Sequence, residues 1–134
     1  PTLSTTDPSE RSTAGLDSND ANTTIDELRQ MVRKFVSERN WERFHAPKNI
    51  SMALAIEASE LMEHFQWMEI ERSRSIAEEP ELMQAVREEI ADVVCYAMAM
   101  CNELDVDLAS CMREKMVKNR QKYPLDQADE VSGQ

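Results

Sequence analysis

Apolar residues recur at helical spacing in four stretches of the chain. Ile25, Leu28, Met31, Val32, Phe35 and Val36 form the first. Residues three and four apart share a helix face, so this pattern predicts a helix. Thr24 with Glu27 makes a capping box that opens it, and it runs to about Arg39. The second stretch, Pro47 to Met68, places Leu54, Leu61, Phe65 and Met68 on one stripe, with Ile50 and Met62 beside it. The third, Pro80 to Glu103, carries Leu82, Val86, Ile90, Val93, Val94, Ala97 and Met98. A proline suits the first turn of both helices. The fourth ends near Lys122 and shows Leu108, Met112 and Met116, with Asp105 or Asp107 as its cap. The pattern predicts an all-α fold, a four-helix bundle over residues 23–124. NWERFHA (40–46) and EIERSRSIAEE (69–79) connect the helices, the latter partly helical. Residues 1–22 are Ser, Thr, Asp and Asn with almost no apolar content, which predicts a disordered tail. Residues 125–134 read as a flexible C-terminal tail.

Composition agrees with helix, since there are only two Gly and five Pro against nine Met. Charge narrows the function classes. Fifteen Lys and Arg stand against 26 Asp and Glu, a net charge of −11. Such a surface repels a nucleic-acid polymer and an anionic membrane. No apolar run reaches the length of a membrane span, and no charged-then-apolar segment at the start predicts a secretory signal. The first residue is Pro1 rather than Met, as in a chain processed or trimmed at its start. Cys95, Cys101 and Cys111 match no zinc spacing. They read as small buried hydrophobes in a reducing compartment, which fits a cytoplasmic protein.

Candidate chemistry lies in the two central helices. Glu57 and Glu60 are three residues apart, as are Glu89 and Asp92. At about 100° per residue, each second acid lies about 60° from the first. Leu61 and Val93 lie about 40° to the other side, so each pair borders an apolar stripe rather than opposing it. A carboxylate there is costly unless it is paired or bound to metal. Four converging carboxylates repel: one pair 4 Å apart costs about 4 kcal/mol at an effective dielectric of about 20. A hard divalent cation relieves this, and Mg²⁺ keeps waters and takes substrate phosphates. Trp41, Phe44 and His45 either plug one end of the bundle or stack on a planar ligand. Lys115, Asn119, Arg120 and Lys122 either complement a helix dipole or grip phosphate. Together these features suggest a metal-assisted nucleotide hydrolase. A ferritin-like di-iron site is disfavoured, because the one Glu-x-x-His, Glu42 to His45, falls just before Pro47. A non-enzymatic acidic helical interaction module is the competing class.

The segments E57-A-S-E60 and E89-I-A-D92 resemble the double acidic signature of the all-α nucleoside triphosphate pyrophosphohydrolases, the MazG-like group. ERNWERFHAPKN, ALAIEASELMEHFQW, EEIADVVCY and VDLASCMREKMVKNRQKYP look like its dCTP-hydrolysing branch, a resemblance that covers about Ile25 to Pro124. The resemblance implies cleavage of dCTP to dCMP and pyrophosphate with Mg²⁺, or with Mn²⁺ as a substitute. It implies Glu57, Glu60, Glu89 and Asp92 as catalytic metal ligands. It implies Trp41, Phe44, His45, Trp67 and Tyr96 around base and sugar, and Lys115, Asn119, Arg120 and Tyr123 near the phosphates. It also implies a homotetramer, a dimer of dimers whose helices complete each other's sites. One position departs from the resemblance: the histidine that vertebrate members place in the first helix, facing the nucleotide, corresponds to Val32, which donates no hydrogen bond. A broader or dUTP-preferring specificity is therefore the alternative within the family.

Overall fold

A computed structural model of the chain describes residues 17–125. Of the tails expected at 1–22 and 125–134, residues 1–16 and 126–134 lie outside the described residues. Residues 17–22, which composition assigns to the first tail, form a turn. Asn19 Oδ1 accepts from the backbone N–H of Ala21 and Asn22, and Asn22 Oδ1 accepts from that of Asn19. Asparagine side chains here replace the backbone partners that a polar segment otherwise lacks.

Five α-helices follow, with no strand among the described residues. They are α1 (Ile25–Glu38), α2 (Pro47–Glu63), α3 (Ile70–Arg74), α4 (Pro80–Leu104) and α5 (Leu108–Lys122). Short 3₁₀ turns occupy Glu42–Phe44 and Ile76–Glu78. Thr24 caps α1 in the reciprocal arrangement its sequence predicts: its Oγ1 accepts from Glu27 N–H, and Glu27 accepts from Thr24 N–H. Asp107 caps α5 by accepting from Ser110 N–H at 3.1 Å.

The helix expected to reach Met68 stops at Glu63. No glycine or proline marks the stop, so its cause is tertiary. Phe65 and Met68 turn inward to half-buried positions, while Trp67 is 90% exposed. The connector expected to be partly helical contains α3. It is closed by Arg72, whose Nε and Nη2 donate to the two oxygens of Glu79 at 3.2 and 2.8 Å. The fold is thus four longer helices plus one short one.

The 25-residue α4 is the hub, against which α1, α2 and the 76–78 turn pack. The core cluster is Val32 from α1, Ile50 from α2 and Met98 and Ala99 from α4. Leu28, Cys95, Tyr96, Met100 and Leu108 surround it. Ile76 and Val86 are buried where the connector meets α4. One polar bridge ties α1 to α4. Asn102 Oδ1 accepts from Arg29 Nε and Arg33 Nη2, and its Nδ2 donates to Arg29 O at 3.1 Å. Beyond Leu108, α5 packs little: Cys111 to Lys118 are all exposed.

Candidate functional site

The α2–α4 pairing brings Glu57, Glu60 and Glu89 together. One carboxylate oxygen from each lies within 4.8 Å of the others. All three side chains are half-buried. One oxygen each of Glu57 and Glu89 is buried without a hydrogen-bond partner. Burial pushes the Glu57 carboxyl up to about 7, helped by hydrogen bonding to Glu60 and by the charges of Glu60 and Asp92. Burial raises Glu89 as well, with the charge of Glu60 next. His64 Nε2 stands 3.9 Å from Glu89, an ion pair only when the imidazole is protonated.

This arrangement is unstable as three anions and stable as a ligand set. Unpartnered, buried, mutually repelling oxygens are the donors a hard cation needs. Asp92, expected as the fourth member and as a core-facing acid, is exposed and outside the 4.8 Å group. It lines the adjoining cleft, and its charge reaches both Glu57 and Glu89. The cleft between α4, α1 and the segment before α2 opens at Asp92, so the apolar residues after it in sequence do not bury it.

That cleft, of about 390 Å³, runs between α1, α4 and the chain before α2. Among the residues expected around base and sugar, Trp41, His45 and Tyr96 line it. Phe44 and Trp67 do not. Phe44 is 56% exposed under the guanidinium of Arg43, and Trp67 follows the early end of α2. Lys115, Asn119, Arg120 and Tyr123 sit on or next to α5, and none lines the cleft of its own chain. Sequence reasoning missed Met31, Phe35, Val36, Cys95 and Ala99 as wall residues. The helical stripe of α1 signalled an apolar face, but a stripe that lines a cleft looks the same as one that packs in a core. Val32 both lines the cleft and belongs to the core cluster.

Of the three thiols, Cys101 is buried as expected and Cys95 is half-buried on the cleft wall. Cys111 is exposed, contrary to expectation, because α5 has no cover at that position. Burial pushes the Cys95 thiol up, away from the reactive thiolate. No helix of the described residues is long and apolar enough to cross a membrane.

The model of the MazG-like family matches residues 52–134. The chain is 38% identical over 102 residues to rat dCTP pyrophosphatase 1, which is 76% of this chain and 60% of that protein. It is 37% identical over 101 residues to the human protein of the same name, 75% of this chain and 59% of that one. The chain therefore spans about 60% of the length of these curated relatives. A crystal structure of a pyrophosphatase from Archaeoglobus fulgidus superposes with a TM-score of 0.70 at 32% identity. That match covers 81% of this chain and 99% of the other.

Proposed function

The chain belongs to the MazG-like family, and from that premise we propose that it is a Mg²⁺-dependent nucleoside triphosphate pyrophosphohydrolase. Its first substrate is dCTP or a modified dCTP, cleaved to the monophosphate and pyrophosphate, as a cytoplasmic guard of the nucleotide pool. The names of the rat and human relatives and of the archaeal structure support this reading. The observation that carries it is the set of unpartnered carboxylate oxygens beside an apolar, aromatic cleft.

Glu57, Glu60 and Glu89 would hold the metal, with Asp92 at the cleft edge as the fourth ligand. When bound, Mg²⁺, or Mn²⁺ in its place, supplies Lewis acidity at a phosphoryl oxygen and lowers the pKa of a water. The rest is the work of the chain. Trp41, His45 and Tyr96 hold the base and sugar against the apolar wall, with ring stacking that any base can accept. Phe44 and Trp67 join that pocket, and Lys115, Asn119, Arg120 and Tyr123 neutralise phosphate charge, once a second copy completes the site. The exposed apolar residues of α2 and α5 support such assembly into a homotetramer. Neither a membrane nor a nucleic-acid polymer is a partner in this reading.

A dUTP-preferring or broader enzyme is the second reading, and Val32 on the cleft wall favours it. An apolar wall discriminates by shape, and one methyl's worth of fit gives about 10- to 200-fold selectivity, far less than a dedicated hydrogen bond.

The test is substitution of the carboxylates. Glu60→Ala and Asp92→Ala should abolish pyrophosphate release while leaving helical circular dichroism intact. Near-wild-type turnover in both variants would remove the metal assignment.

A further inference from the structure

The cleft's aromatic wall is backed by residues that are not part of its lining. We propose that Arg39 and Asn40 are positioning residues, which set Phe35 and Trp41 at the angle the cleft requires. This rests on the reading of the cleft as a nucleotide pocket.

Asn40 has φ 53°, a left-handed conformation that asparagine tolerates better than most residues. It terminates α1 in a Schellman arrangement. The N–H of Asn40 donates to Ser37 O at 3.1 Å, and that of Trp41 to Val36 O at 3.0 Å. The reversal folds Trp41 back onto the end of its own helix, where it and Val36 both line the cleft. The rings of Phe35 and Trp41 then meet edge to face, centroids 5.7 Å apart with planes at 74°. Two exposed rings at a helix end would not keep that angle unaided: they are 47% and 43% exposed.

Arg39 supplies the support. Its guanidinium lies 3.6 Å from the Phe35 centroid and 5.9 Å from that of Trp41. Its Nη1 donates to Phe35 O at 3.2 Å, which fixes the guanidinium to the turn that carries the ring. A planar guanidinium stacks on an aromatic face and still donates in its plane, which an ammonium cannot do. The contact to Glu38 at 3.8 Å is exposed and adds little.

The experiment compares Arg39→Gln, Arg39→Lys, Asn40→Val and Asn40→Gly with the full native chain. KM for nucleoside triphosphate should rise about two- to fivefold in Arg39→Gln with kcat unchanged, as loss of an exposed cation–π contact implies. Arg39→Lys should not restore it, and inhibition by inorganic triphosphate should stay at the wild-type level. Asn40→Val should raise KM too, with Asn40→Gly falling nearer to wild type. A second readout needs no turnover. With Trp67→Phe the only tryptophan left is Trp41, and acrylamide quenching of its emission should increase when Arg39→Gln is added. Weakened inhibition by inorganic triphosphate, with full recovery in Arg39→Lys, would instead make Arg39 a direct phosphate ligand and overturn the proposal. Unchanged quenching and unchanged KM would reduce Arg39 to an ordinary helix end. Wild-type protein that hydrolyses no nucleotide would remove the nucleotide reading, and quenching alone would then decide whether Arg39 holds Trp41.

Discussion

Glu57 shows how one residue carries both the cost and the use of the site. It is an acid on a half-buried face, held near neutrality at about 7 by burial and by Glu60. The native state therefore binds this proton more tightly than the unfolded chain, whose carboxyl titrates near 4.5. Native stability from this group is full below about pH 4.5 and falls as pH rises through about 7. Glu89 acts in the same direction. Asp107, lowered by its hydrogen bonds to Ser110, acts in the opposite one and loses its contribution at lower pH. Metal-free protein should thus have a higher Tm at pH 5 than at pH 8, and Glu57→Gln should flatten that slope. Thermal melts at the two pH values, each with EDTA, check this. Adding Mg²⁺ should raise Tm at pH 8 more than at pH 5, because the cation binds the ionised carboxylates. A Tm independent of pH and of Mg²⁺ would contradict the ligand set. Three of the four acids were legible as a cluster from three-residue spacing beside an apolar stripe. The exposure of Asp92 was not, because periodicity gives a residue's direction on a helix and not what lies opposite.

Among the elements, α2 and α4 make the site, since the carboxylates meet only if these helices keep their register. Ile50, 1% exposed, anchors the start of α2 among Val32, Met98 and Ala99. Ile50→Ala should destabilise the fold by about 2–5 kcal/mol, as truncation of a fully buried aliphatic does. Urea unfolding with an unchanged m-value checks this, and a loss below about 0.5 kcal/mol would show that the cluster does not hold the helices. Both helix starts with side-chain caps, Thr24 and Asp107, were legible because the caps are local chemistry. The end of α2 was not. HFQWM contains no breaker, and its turn is set by where Phe65 and Met68 find cover. Trp67, which the resemblance implies beside base and sugar, lies past that end and is 90% exposed in the single chain.

On the scale of the whole molecule, this single chain leaves much apolar surface open. Met52, Ile56 and Met62 on α2 and Met112, Met116 and Val117 on α5 are all at least half exposed. A monomer seldom keeps so many large apolar side chains in water. The basic residues of α5 do not line the cleft of their own chain. An oligomer is the expected state, with Met116→Asp shifting it to smaller species and lowering activity together. Light scattering coupled to size exclusion reads the first, and a monodisperse monomer in the wild type would contradict it. The sequence pattern does not separate a core face from an interface face, because one periodicity serves both.

In the proposed function, the carboxylate cluster and the cleft together hydrolyse nucleoside triphosphates. Pyrophosphate release from a panel of deoxy- and ribonucleoside triphosphates, with Mg²⁺ and with EDTA, tests it most directly. Release that is led by dCTP or a 5-substituted dCTP and abolished by EDTA is the predicted result. Release led by dUTP or spread across bases would keep the site and reassign its specificity to the apolar wall around Val32. No release from any nucleotide would contradict the account and leave an acidic helical module whose partner is another protein.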